Sequence, residues 1–156
     1  MITITENTID QHIEKYESEA LYLADLKELS ETQPDLMAFI DQENYTLLTN
    51  DEIALMEYLT TIIYFSCKTQ TGKTLTLQGN NLEKAEETNW DTFNATPNKN
   101  FTKILDIYFE NYPQEDLLAL VEDSVIQDDE STVTAVGREI IFVACKSIID
   151  TIHLLN

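Results

Sequence analysis

Four neighbouring residues, Thr71-Gly72-Lys73-Thr74, have the types that hold a phosphate. A phosphate-binding loop needs a second glycine, separated from the Gly-Lys pair by four residues, so that the backbone can wrap the phosphates. That position is Cys67. The loop must also lead from a strand into a helix whose N-terminus faces the anion. Here an apolar, helix-patterned run precedes it and a poor helix start follows it, so the expectation is a helix C-terminal turn with a solvated lysine.

Metal and nucleophile chemistry find thinner material. Asp150 and His153 stand three apart, a spacing that can share one metal on a helix, but no second pair of ligands accompanies them. No metal and no cofactor are expected, and both His153, near the end of the last helix, and His12 read as surface residues. Asp128-Asp129-Glu130 lacks the alternating ligands and the glycine of a calcium loop. Cys67 and Cys145 are the only cysteines, each inside an apolar run, and read as two buried free thiols, with no exposure or positive surroundings to activate them. The aromatic residues Trp90, Phe93, Tyr108 and Tyr112 recur at helical spacing and read as core.

The strongest chemical signal is negative charge. The chain has 29 acids against 9 bases, a net charge of −20. Residues 1–50 carry 11 acids and 2 bases, residues 51–100 carry 7 and 4, and residues 101–156 carry 11 and 3, so the two ends hold the excess. On a continuous helix Asp10, Glu14, Glu17, Asp25 and Glu28 fall within about an 80° sector beside the apolar face. Like charges at this spacing cost a helix a few tenths of a kcal/mol each. These five acids are the candidate partner-binding residues. Nucleic acid is not expected as a direct ligand, because a phosphate backbone is bound by clustered Lys and Arg, and the single arginine, Arg138, and the scattered lysines form no cluster. Anionic membrane surfaces are disfavoured for the same reason.

These residues must be carried by helices. At 43% hydrophobic residues the chain is not the low-hydrophobicity polymer that stays disordered. Three glycines and three prolines are too few for a turn-rich sandwich or barrel. Apolar residues at three- and four-residue spacing mark a helix over residues 8–29, through Ile9, Ile13, Tyr16, Ala20 and Leu23. A short helix begins at Pro34. Thr49 and Glu52 have capping-box spacing and open a long apolar helix over residues 53–68, which Gly72 ends. Residues 69–81 read as loop, with one short extended piece at 74–77. Further helices follow around Leu82 to Phe93, before Pro97; around Phe101 to Tyr112, before Pro113; around Leu117 to Val121; and over residues 134–154, after an acidic loop at 127–131. The expected fold is all-α, one domain spanning residues 1–156 as a bundle of about six or seven helices, with residues 53–68 and 134–154 at its centre.

One internal echo stands out. Residues 33–41, QPDLMAFID, match residues 114–122, QEDLLALVE, at an offset of 81, near half the chain. A duplication would make these two helices equivalent and relate the two long helices by a two-fold axis. Chance likeness between short amphipathic helices is the competing explanation.

No export signal opens the chain, and no apolar run approaches the roughly 20 residues that span a bilayer. A soluble, cytoplasmic protein is expected. The functional expectation is a non-catalytic acidic binding module for a basic protein partner, of the immunity-protein, DNA-mimic or chaperone kind. The alternative is a helical-bundle enzyme or small-ligand-binding protein with its site between helices.

Overall fold

A computed structural model describes residues 2–41, 46–96, 100–126 and 131–155. Asp128-Asp129-Glu130 and Pro97 lie outside the described residues. Among the described residues eight helices follow one another: α1 (Glu6–Lys15), α2 (Glu19–Thr32), α3 (Pro34–Ile40), α4 (Asn50–Thr71), α5 (Gly79–Ala95), α6 (Phe101–Phe109), α7 (Glu115–Ser124) and α8 (Ala135–Leu155). No strand occurs among the described residues. The helical class is as expected; the count is eight instead of six or seven, because the first periodic segment is two helices.

The break falls at residues 16–18. Tyr16 ends α1, and Ser18, in extended backbone at ψ 111°, accepts the Leu21 amide and starts α2. Neither glycine nor proline marks the site. Tertiary contacts fix the bend: Lys15 Nζ and Tyr16 Oη both reach Asp25 Oδ2, at 2.8 and 2.7 Å. As a result Ala20 and Leu23 face solvent and only Leu29 of α2 is buried. Helix α6 also stops sooner than its periodicity suggests, at Phe109, and Asn111 then takes a left-handed φ of 54° before Pro113.

The long central helices form as expected. Thr49 and Glu52 make the reciprocal capping box of α4, and Gly72 ends it at φ 70°. Ten of its side chains between Met56 and Cys67 are buried, and α8 is buried without interruption from Ile140 to Ile149. These helices pack on each other, α1 packs on α4 and α5 on α8. Buried residues from all eight helices, from Ile9 and Leu29 to Leu117 and Ile148, form one hydrophobic cluster.

The N-termini of α4 and α8 meet at Glu52. Its carboxylate is fully buried. Oε1 accepts the Thr49 amide, while Oε2 accepts both the amide and the hydroxyl of Thr134, at 2.9 and 3.0 Å. Burial pushes the Glu52 pKa up, but the bonds from Thr49 and Thr134 outweigh it and hold the carboxyl below its usual range. Gly137 makes room: a Cβ there would lie 1.6 Å from Glu52 Oε2.

Two extended arms each lead into a helix and are gripped by a buried glutamine. Residues 2–5 lead into α1, and residues 75–78 lead into α5. Gln114, before α7, donates through Nε2 to the Ile2 carbonyl at 2.9 Å and accepts the Ile4 amide on Oε1 at 2.9 Å. Gln33, before α3, donates to the Leu75 carbonyl at 2.8 Å and accepts the Leu77 amide at 3.0 Å. The remaining N–H of each glutamine goes to a side chain of a long helix, His153 Nδ1 or Tyr64 Oη, both at 3.0 Å. Two residues further on, Asp116 accepts the Glu6 amide at 3.0 Å and Asp35 the Gly79 amide at 2.9 Å. The echo therefore extends to the arms: Ile2-Thr3-Ile4 corresponds to Leu75-Thr76-Leu77. Each grip crosses over, so that the clamp in the first half of the chain holds the arm of the second, and the reverse.

Candidate functional site

The five acids of the sequence stripe are not brought together. Asp10 and Glu14 lie exposed on α1 and Glu17 in the turn after it, whereas Asp25 and Glu28 belong to α2. The bend at Ser18 destroys the continuous helix on which the 80° sector was laid out. Asp25 turns inward, its side chain 16% exposed, and is neutralised by Lys15. Glu28 pairs with Lys68 at 3.3 Å. What remains open is the α1 part of the stripe, extended by Glu6 one turn before Asp10.

Across from it stands α7. Glu6 and Asp10 on one side and Asp116 and Asp123 on the other wall a depression of about 200 Å³. Its floor is apolar, from Ile9 and Ile13 of α1 and Ala119 and Leu120 of α7. The seam between α3 and α5 is built alike. Asp35 corresponds to Asp116, Ala38 to Ala119, Phe39 to Leu120 and Glu83 to Asp10, around a cavity of about 380 Å³. Sequence reasoning missed Glu6, Asp35, Glu83, Asp116 and Asp123. Two signals pointed to part of this set: Asp35 and Asp116 sit at matching places in the echo, and the arms repeat before α1 and α5; Asp123 lies outside the echo.

Crowded carboxylates leave a trace on α7. Burial, together with the neighbouring charges of Asp123 and Asp106, pushes the Glu122 carboxyl above its usual range. Among the described residues the ion pairs lie away from both seams: Lys15–Asp25, Lys27–Glu31, Lys68–Glu28 and Lys146–Asp150. Arg138 stacks on the Phe101 ring at 4.2 Å.

A second polar site lies between α5, α6 and α8. Lys146, nearly buried, donates to Asn89 Oδ1 at 2.9 Å and Asp150 Oδ2 at 3.0 Å, over the rings of Tyr108 and Tyr112. The Tyr112 hydroxyl donates to Asp150 Oδ1, and the Asn89 amide to Oδ2 at 3.0 Å. Both oxygens of Asp150 are thus engaged, although the residue also borders a pocket of about 310 Å³ with Ala85 and Leu154. Burial and the Asp150 charge push the Tyr112 hydroxyl pKa up strongly, so it remains a donor.

The remaining chemical candidates fall into structural roles. Asp150 and His153 do not converge: His153 accepts from Gln114 and is half-buried instead of lying on the surface. His12 is likewise buried, with Nε2 3.0 Å from Thr69 Oγ1 and Nδ1 without a partner; burial, then Lys15, lowers its pKa. Among the described residues no group of three or more His, Cys, Asp or Glu could hold a metal. Lys73 stands exposed after the left-handed Gly72, with a helix before it where a phosphate loop needs a strand. Both thiols are buried and pushed up to about 12 by desolvation. Phe93 and Tyr108 are core residues, Tyr112 is partly buried against the core, and Trp90 packs edge-on against Phe93. No described helix is long and apolar enough to cross a membrane.

Compared with protein-family models, with curated proteins and with solved structures, the chain matches none.

Proposed function

We propose that this chain is a non-catalytic acidic binding module, one domain built from two copies of a helical unit, that engages a basic protein partner. The observation that carries the reading is the α1/α7 seam. Carboxylates from two helices wall an apolar floor, and the described ion pairs all lie elsewhere. A lysine or arginine side chain suits such a place, its stem on the floor and its cation between the walls. The net charge of −20 adds a long-range field that accelerates encounter with a basic surface and opposes binding to nucleic acid or anionic membrane. Partners of the immunity, DNA-mimic and chaperone type share this physics. Two buried free thiols suit a reducing, cytoplasmic setting.

Repeat architecture is supported by the matching clamps. The offset between equivalent positions is 73 for the arms, 81 for the glutamines and 85 for the caps Thr49 and Thr134, each of which accepts the amide three residues on. It grows stepwise, as insertions between conserved elements require.

Small-ligand binding is the second reading. It draws on the 310 Å³ pocket beside Asp150, but the carboxylate there is already saturated by Lys146, Asn89 and Tyr112.

The test is affinity capture at low ionic strength with three baits: wild type, Asp10→Lys/Asp123→Lys, and the equally charged control Asp91→Lys/Glu110→Lys. Wild type and control should retain a basic partner that elutes with rising salt, and the seam variant should lose it. Charge reversal at Glu14 and Glu17, on the rim, should slow association more than it speeds dissociation. A partner indifferent both to the seam charges and to salt contradicts the proposal.

A further inference from the structure

The two arms are held alike but sit beside different joints. Residues 75–78 are fixed at both ends, between α4 and α5. Residues 2–15 meet α2 through a single joint, residues 16–18. The Gln114 clamp reads backbone groups, the Ile2 carbonyl and the Ile4 and Glu6 amides, with the last taken by Asp116. Such a clamp accepts the same arm from any copy of the chain. Within one molecule the arms are already crossed between halves.

The joint between α1 and α2 has an alternative conformation written into its sequence. Ile9, Ile13, Tyr16, Ala20 and Leu23 keep one helical face across it. Tyr16 sits at φ −82°, ψ 2°, close to helical values, and the Glu17 and Ser18 amides still bond to Glu14 and Lys15. A clear departure is the ψ of Ser18, 111° where a helix needs about −42°. Straightening this residue fuses α1 and α2, and aligns Ala20 and Leu23, exposed in the bent form, with the buried face of α1.

We propose that two copies of this chain exchange residues 2–15 by straightening at Ser18, each arm docking on the second copy's Gln114 and Asp116. The α1/α7 seam then forms between chains with the same contacts, so the joint sets the balance between bent monomer and exchanged dimer. The inference does not depend on the partner-binding proposal. It follows from the clamp and the joint alone.

Three substitutions separate exchange from ordinary association. Ser18→Ala removes the α2 cap and favours the fused helix. It should raise the dimerisation constant roughly tenfold or more, since two caps are lost per dimer. Glu19→Pro places proline at the first position of α2, where the bent form tolerates it and the fused helix does not. It should leave only monomer, alone or with Ser18→Ala. Ser18→Gly keeps a competent cap while weakening a fused helix, and should lie on the monomer side of wild type. The measurement is mass by light scattering on size-exclusion peaks after refolding at about millimolar protein, with circular dichroism to confirm helical folding. In the dimer fraction the Glu19 amide should gain hydrogen-exchange protection, because it bonds to Lys15 only in a fused helix. Monomer throughout the Ser18→Ala sample, or a dimer that neither Glu19→Pro nor Ser18→Gly reduces, overturns the proposal.

Discussion

The two halves of the molecule each contain a lysine and a tyrosine that meet on one aspartate, in very different surroundings. In the first half Lys15 and Tyr16 reach Asp25 across the bend, and the lysine side chain is 38% exposed. In the second, Lys146 and Tyr112 reach Asp150 inside the α5–α6–α8 contact, with the lysine side chain 10% exposed and Asn89 completing the network. The outer cluster fixes a chain direction, and its lysine keeps partial contact with water. The inner one cannot lose a member without leaving a charge stranded, because burial of an unpaired ion costs several kcal/mol. A similar contrast holds at the centre, where one half supplies Glu52 and the other the Gly137 that makes room for it. Equivalent frames thus carry unequal stakes, and mutation should expose the inequality.

The largest effect is expected at the centre. Gly→Ala inside a helix ordinarily stabilises by roughly 0.5–1 kcal/mol. Gly137→Ala should instead destabilise by at least about 3 kcal/mol, because the new methyl must displace a buried carboxylate from its bonds to Thr49 and Thr134. Chemical denaturation of Gly137→Ala, Glu52→Ala and the double variant should show the pair far from additive, the second lesion adding little. The same carboxylate predicts a pH effect. Its folded pKa is depressed, so its stabilisation is complete above the usual carboxylate range and is lost as pH falls through that range towards the lower folded value. Glu52→Gln should remove this part of the acid sensitivity.

Next come the aspartates. Asp150→Asn should cost about 2–3 kcal/mol by stranding Lys146. Asp25→Asn should cost less, about 1 kcal/mol, because Lys15 is partly exposed and can find water when the carboxylate is lost. Equal losses would erase the distinction between the clusters.

The clamps rank below them. Gln33→Leu should cost about 2 kcal/mol, since the Leu77 amide stays buried with nothing to accept it. Gln114→Leu should cost about 1 kcal/mol, because Ile2 and Thr3 of that arm are exposed and it can peel away to find water, whereas Leu75 packs on the core.

Smaller still is His12. Its folded pKa lies below the ordinary 6.5, so the unfolded chain takes up the proton first and stability falls as pH drops below about 6.5 towards the folded value. His12→Gln should flatten that slope in a denaturation series between about pH 7 and 5. Lys73→Ala, at an exposed turn, should change neither stability nor nucleotide affinity measurably.

Much of the frame was legible in the residues. The Thr49–Glu52 box, Pro34, Gly72 and the apolar periodicity of α4 and α8 are local signals, and the local structure obeys them. The echo of Gln33 and Gln114 was visible too, though not its meaning, since a glutamine's partners lie 42 and 112 residues away. The bend at Ser18 was hidden because periodicity runs through it, and only the contacts of Lys15 and Tyr16 with Asp25 decide against a straight helix. That bend also displaced the candidate site. Asp10 stayed in place, Asp25 was drawn inward, and the opposite wall came from Asp116 and Asp123, which no local pattern ties to α1. His12 and His153 were misplaced for a related reason: each is covered by an element distant in sequence.

Underlying all of this is the claim that two matching clamps hold two matching arms, of which residues 2–5 are the more exposed. Amide hydrogen exchange at Ile4 and Leu77 tests it most directly. Both amides are bonded to a buried glutamine oxygen and should be strongly protected in the intact protein. Gln114→Leu should release Ile4 by local opening while Leu77 stays protected, and Gln33→Leu should expose Leu77 only through global unfolding. Fast exchange at Ile4 in the unaltered chain, or identical responses of the two amides to the two substitutions, would contradict the account.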